Sequence, residues 1–323
     1  MRSPRGLSCL VCLGLLGACA APPAAPPRRL ELATVVGPDG RSPPLSAMVP
    51  SGTRGISIVV DGAPDTTYQL AHATLGAQAL ASPQAWPRLG RFAITLPGGR
   101  GPVPPGPLRW VVAGDRPGPV TVTLRLPPTV DAARLRLDVV RVSAVDGPAL
   151  GPWWDEAARI LADAGITLEA VAQRTVVAPT LARLVEQVEP QETPTSAAGR
   201  LAGAIAALPG GEVAADDVLD LFVVDALPAG VGGLALGVPC APPPGLYAGV
   251  VALGDGPPAA RGRVIAHELA HCLGLAHVVD GAARDDGLAS TRPGMPNLMG
   301  TAGTELTAEQ LAVLRRSPLL EPR

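Results

Sequence analysis

Between Leu30 and Leu126 short apolar-rich runs recur between glycine and proline breaks: "LELATVV", "GISIVVD", "YQLAH", "RFAITL", "LRWVVAG" and "VTVTLRL". Side chains alternate across a strand, so a period near two predicts half-buried strands. A succession of such strands with no helical period between them predicts an antiparallel sandwich over residues 30–130. His72 lies in one of these runs, and a lone histidine on a strand is read as a surface or core residue rather than a ligand.

From residue 131 the rhythm changes. One strand in "DAARLRLDVVRVSAV" precedes "GPWWDEAARILADAG", where Trp153, Ala157, Ile160, Leu161 and Ala164 repeat at helical spacing. Pro152 opens this helix and Gly165 closes it, and the tryptophans are core packing rather than a substrate platform. A strand "ITLEAVAQRTVV" follows, then helical segments around "TLARLVEQV" and "AAGRLAGAIAALP". Next comes "VLDLFVVDAL", whose nearly unbroken apolar run predicts a strand covered on both faces. Two further strands, "GVGGLALGVP" and "LYAGVVALGD", flank the loop "CAPPPG". Alternating strands and helices predict a layered α/β domain over residues 131–323.

The first 29 residues stand apart from both patterns. Arg2 and Arg5 ahead of "GLSCLVCLGLLGACA" predict an export signal over residues 1–18, too short to be a membrane span. "LGAC" resembles a lipobox, with Cys19 lipidated and the protein tethered to a bacterial membrane, at the outer membrane or cell surface by the alanine that follows; Ala18-Cys19-Ala20 also fits cleavage of an ordinary secreted protein. Both readings place the chain outside the cytoplasm. Residues 19–29, "APPAAPPRR" among them, read as a proline-rich linker.

The chain of 323 residues is long enough for two cores. Its 26 basic residues are all arginine, which together with abundant alanine, glycine and proline reflects codon composition rather than chemistry. Loss of residues 1–18 removes two arginines and no acid, taking the formal charge from −2 to −4. That balance argues against a nucleic-acid partner.

The stretch "RVIAHELAHCLGLAH" carries three of the four histidines. On a helix His267 and His271 lie one turn apart on one face, and Glu268 beside them is placed to take a proton from water. Were the helix to continue to His277, that imidazole would lie about 9 Å further along the axis and about 240° away around it. Gly274 provides the escape, since glycine at a helix end adopts the left-handed conformation that reverses the chain. Three neutral histidines leave a fourth zinc position open, which distinguishes a catalytic from a closed structural site. Glu268 is then the general base that passes a proton to the leaving amine.

"HELAHCLGLAH" resembles the zinc signature of the metzincin metallopeptidases. The resemblance implies a Met-turn, and Met299 in "PNLMG", 22 residues beyond His277, fits it. It implies an α/β (α+β) catalytic domain with a mixed twisted sheet, in which "GGLALGVP" is the edge strand that pairs with extended substrate. With "LYAGVVAL" before the helix and "LTAEQLAVLRRSP" after the Met-turn, the chain is most similar to bacterial pappalysin-like or reprolysin-like secreted types. Val278 replaces a polar residue found in several subfamilies, and Thr301 stands where an astacin-type tyrosine ligand would be. The resemblance covers the C-terminal 190 or so residues. Thr307 with Gln310 forms a capping box, and Leu306 with Leu311 a hydrophobic staple, so a last helix begins at Thr307.

With Cys9 and Cys12 in the signal and Cys19 lipidated, Cys240 and Cys272 remain; they form either a disulfide or two separate thiols. Ile265, Leu269, Cys272 and Leu273 share the helix face roughly opposite His267, so Cys272 points to the core and not to the metal. No cysteine lies between Ala20 and Pro239, which excludes a matrixin-type propeptide thiol there. The run "DGAARDDG", Asp280 to Gly287, reads either as a solvated loop or as a Ca2+ site. The expectation is a monomeric, exported, lipid-anchored zinc endopeptidase acting on protein or peptide substrates. The alternatives are a surface binding protein with a catalytically poor metalloprotease-like domain, and an amidase acting on cell-wall peptides.

Overall fold

The computed structural model describes residues 28–63, 66–79, 91–96, 103–127, 133–143, 150–178, 218–224, 233–235, 248–252, 257–275, 277–278, 288, 290–292, 294–300, 302–317 and 319–323. They form a mixed α/β structure with three sheets. The segments "TLARLVEQV" and "AAGRLAGAIAALP", the run 280–287, and Cys19 and Cys240 lie outside the described residues. Among those described, no helix is long and apolar enough to cross a membrane.

Two four-stranded antiparallel sheets carry the first half. One is ordered β1 (Arg28–Val36), β8 (Gly118–Leu126), β3 (Ile56–Asp61), β6 (Arg91–Leu96). The other runs β2 (Leu45–Val49), β7 (Gly106–Gly114), β4 (Tyr68–Leu75), β5 (Gln78–Ala79). Ile56, Ile58, Val60, Val122 and Leu124 from the first meet Tyr68, Leu70, Leu108, Trp110 and Val112 from the second in one core, the sandwich that the alternation predicts. β1 begins at Arg28, so the last two residues of the expected linker belong to the strand. A bulge between Leu70 and His72 resets the parity of β4: Ala73 and Leu75 turn inward and His72 is exposed.

The second half is built on a six-stranded sheet, β10 (Ile166–Val177), β9 (Ala133–Ser143), β11 (Leu219–Val224), β13 (Ala248–Ala252), β12 (Gly233–Ala235), with β14 (Glu321–Pro322) also pairing with β9. β9, β10, β11 and β13 are parallel neighbours, whereas β12 runs antiparallel to β13 and stands at the sheet's end among the described residues. β11 is buried throughout, as its apolar run requires. Helix α1 (Pro152–Ala162) buries Trp153, Ala157, Ile160 and Leu161, and Gly165 closes its turn at φ +74°. It packs on α2 (Pro258–Cys272) so closely at Gly262 that a Cβ there would come within 2.6 Å of Glu156 Cβ and 2.7 Å of the Trp153 carbonyl oxygen. α3 (Ala308–Arg315) completes the helices described, and its first turn is the expected capping box of Thr307 and Gln310.

The outward face of β3 is also covered. Ser57 and Val59 are buried with Thr123 of β8, and Val59 belongs to the core of the second half, with Leu135, Leu137 and Leu320. The sandwich therefore docks on the α/β layer through the back of one of its sheets.

Candidate metal centre

Helix α2 carries no side-chain N-cap; Pro258 starts it, where a missing N–H costs nothing. Its other end is a Schellman turn. The Leu275 amide donates to the Ala270 carbonyl at 3.0 Å and the Gly274 amide to that of His271 at 2.9 Å, with Gly274 at φ +113°. The chain thus reverses at the glycine singled out by sequence, and His277 returns to the two helical histidines.

His267, His271 and His277 lie close enough together to hold one metal ion. The Nε2 atom of His277 is 3.1 Å from that of His267 and 2.9 Å from that of His271. The other ring nitrogens are committed. His267 Nδ1 donates to the Leu298 carbonyl and His271 Nδ1 to the Leu275 carbonyl, each at 2.7 Å. A neutral imidazole has one ring proton, so both Nε2 atoms present lone pairs to the same point. A single proton on His277 serves at most one of them; a shared cation serves all three. The carbonyls set the tautomer in the manner of outer partners at metal sites.

Electrostatics favours the same ligand form. Burial pushes the pKa of His267 down to about 4, against the raising effect of its bond to Leu298; His277 and Arg263 lower it further. Burial likewise takes His271 to about 3. Both are neutral at pH 7 and bind a cation without first losing a proton. His271 and Glu268 are buried, while His277 is exposed and keeps the centre open to solvent.

The residues around Leu298, whose carbonyl holds His267, are 297–300, 302 and 303 of the next loop. Met299 is 1% exposed and sits in the core with Leu298. Asn297 Oδ1 accepts from the Met299 amide at 2.9 Å. The Asn297 and Gln310 side chains exchange two hydrogen bonds, 2.8 and 3.1 Å, so the capping residue of α3 also braces this loop. The Met299 carbonyl accepts from the Val278 amide at 3.1 Å, next to His277.

Cys272 is buried in the core, as its helix face predicts; Cys240 and any pairing between the two lie outside the described residues. Sequence reasoning passed over Arg263, whose guanidinium donates to carbonyls of the 297–303 loop. The available signal was its spacing, four residues before His267 on the same helix face. It also passed over Gln310 as the partner of Asn297, since a capping box gives no hint of a second use for the same amide. Comparison with protein-family models and with curated proteins finds no match to this chain.

Proposed function

We propose that the chain is a zinc-dependent endopeptidase of the metzincin kind. The convergence of three imidazole Nε2 atoms, two of them with the ring proton already spent on a carbonyl, carries this reading. An all-histidine donor set suits zinc, and three protein ligands leave a position for substrate chemistry. When bound, the ion supplies Lewis acidity that polarises a carbonyl oxygen and acidifies water to a pKa of about 7.

The chain's own groups do the rest. Glu268 follows His267 on α2 and is 5% exposed, so its carboxylate works where water is scarce and proton transfer is directed. It takes the proton of the attacking water on a carboxylate oxygen and returns it to the nitrogen of the leaving amine. β12, at the end of the sheet and antiparallel to β13, presents its outer edge as a template on which an extended peptide adds by main-chain hydrogen bonds. Such recognition suits peptide substrates and demands little of their side chains.

The test is to purify the full chain, measure bound metal by mass spectrometry, and assay unfolded proteins and cell-wall peptides side by side with Glu268→Gln. Cleavage of proteins by wild type alone supports the endopeptidase; cleavage confined to cell-wall peptides redirects the same chemistry to an amidase. Zinc-loaded wild type no more active than Glu268→Gln on every substrate sinks the enzyme in favour of a binding role.

A further inference from the structure

Arg263 sits one turn ahead of the first metal histidine. A fixed cation there repels a divalent ion, so its place needs another reason. The Nε atom donates to the Gly303 carbonyl, and Nη2 reaches those of Gly300 at 2.7 Å, Leu298 at 3.4 Å and Asn297 at 3.5 Å. One guanidinium thus gathers four carbonyls from a seven-residue loop. The planar fork of arginine can span them, whereas a lysine ammonium is a point donor.

The loop so gathered touches His267 and the residue that follows His277 through its backbone. Leu298 O accepts from His267 Nδ1 as well as from Arg263, and Met299 O accepts from the amide beside His277. Gly303 has no room for a side chain: a Cβ there would lie 2.6 Å from the Asn297 nitrogen, and its φ is +96°. We propose that Arg263 is a positioning residue that sets metal affinity, by holding the 297–303 carbonyls where they orient His267 and anchor the backbone at His277. The inference rests on the metal-site reading above.

Zinc affinity of the full-length protein, measured by competition with a chromophoric chelator, tests it. Arg263→Met is expected to bind zinc about 10-fold more weakly than wild type, the lower end of the loss seen when a ligand's outer partner is removed, because Arg263 acts through the Leu298 carbonyl that holds His267. Arg263→Lys recovers only a small part of this. In nitrogen-15 spectra of the metal-free protein, His267 holds its proton on Nδ1 in wild type and exchanges between tautomers in Arg263→Met. A role confined to stability would lower the melting temperature and leave the affinity of the folded protein and the tautomer unchanged, which overturns the proposal. Should Arg263→Met not fold, Arg263→Gln carries the same test, with weakened binding in support and unchanged binding against. Wild type that binds no zinc overturns the metal reading itself, an outcome distinct from equal affinities in wild type and variant.

Discussion

His267 and His271 are held neutral by burial, at about 4 and about 3, against a value near 6.5 in an unfolded chain. Between those limits the unfolded state binds more protons than the folded one. The metal-free protein therefore has its full stability above pH 6.5 and loses it as pH falls towards 4 and then 3. His267 alone should cost about 2 to 3 kcal/mol across that window, read by urea denaturation of the metal-free protein at pH 7, 6 and 5. Flat stability over this range would mean that the rings are solvated. Glu268 gives a different signature at the same scale. Its replacement by glutamine should lower kcat by about 10²- to 10⁴-fold with zinc content unchanged, since the amide keeps the shape and cannot take a proton.

At the scale of elements, α2 does its work through what meets it at each end and on each face. At Gly262 the close crossing with α1 leaves no room for a methyl group. Gly262→Ala should destabilise by about 1 to 3 kcal/mol through overpacking, checked by thermal denaturation, although alanine is the better helix former in an open position. The periodic signals for α1 and the strands of the sandwich were legible because each buries a face against a core, and burial imposes a period; β11 was legible as an unbroken apolar run because it is buried throughout. The turn at Gly274 was legible for a related reason: three histidines at that spacing can meet only if the chain reverses there. The loop-gathering role of Arg263 and the Asn297–Gln310 pair were not legible, although the spacing of Arg263 placed it on the face of His267. Their partners are backbone carbonyls and one amide brought together by tertiary packing, and such contacts leave no periodic trace. Strand β2 escaped because an apolar residue, Met48, stands on its exposed face and hides the alternation, and β14 because two residues carry no period.

The whole molecule turns on how the sandwich is fastened to the α/β layer. Arg54, just before β3, is 2% exposed, and its three guanidinium nitrogens make no hydrogen bond among the described residues. Burial lowers its pKa to about 10, and the charge of Glu321 on the C-terminal strand works against that shift. Glu321 has other partners, Arg134 at 3.3 Å and Arg136 at 3.5 Å, and Arg134 also meets Glu169 at 3.2 Å. The two ends of this arrangement should then respond in opposite senses. Arg54→Met removes a desolvated cation and keeps apolar volume at the junction, so stability should stay level or rise by about 1 kcal/mol, because Glu321 retains two arginines. Glu321→Gln instead leaves Arg54, Arg134 and Arg136 without their common acid; the pairs are partly exposed, so the loss should be about 1 to 2 kcal/mol. Thermal denaturation of the two single variants beside wild type decides it. A clear fall for Arg54→Met would show that Arg54 is satisfied by a partner, and that the junction is held by that contact rather than by apolar burial around Val59.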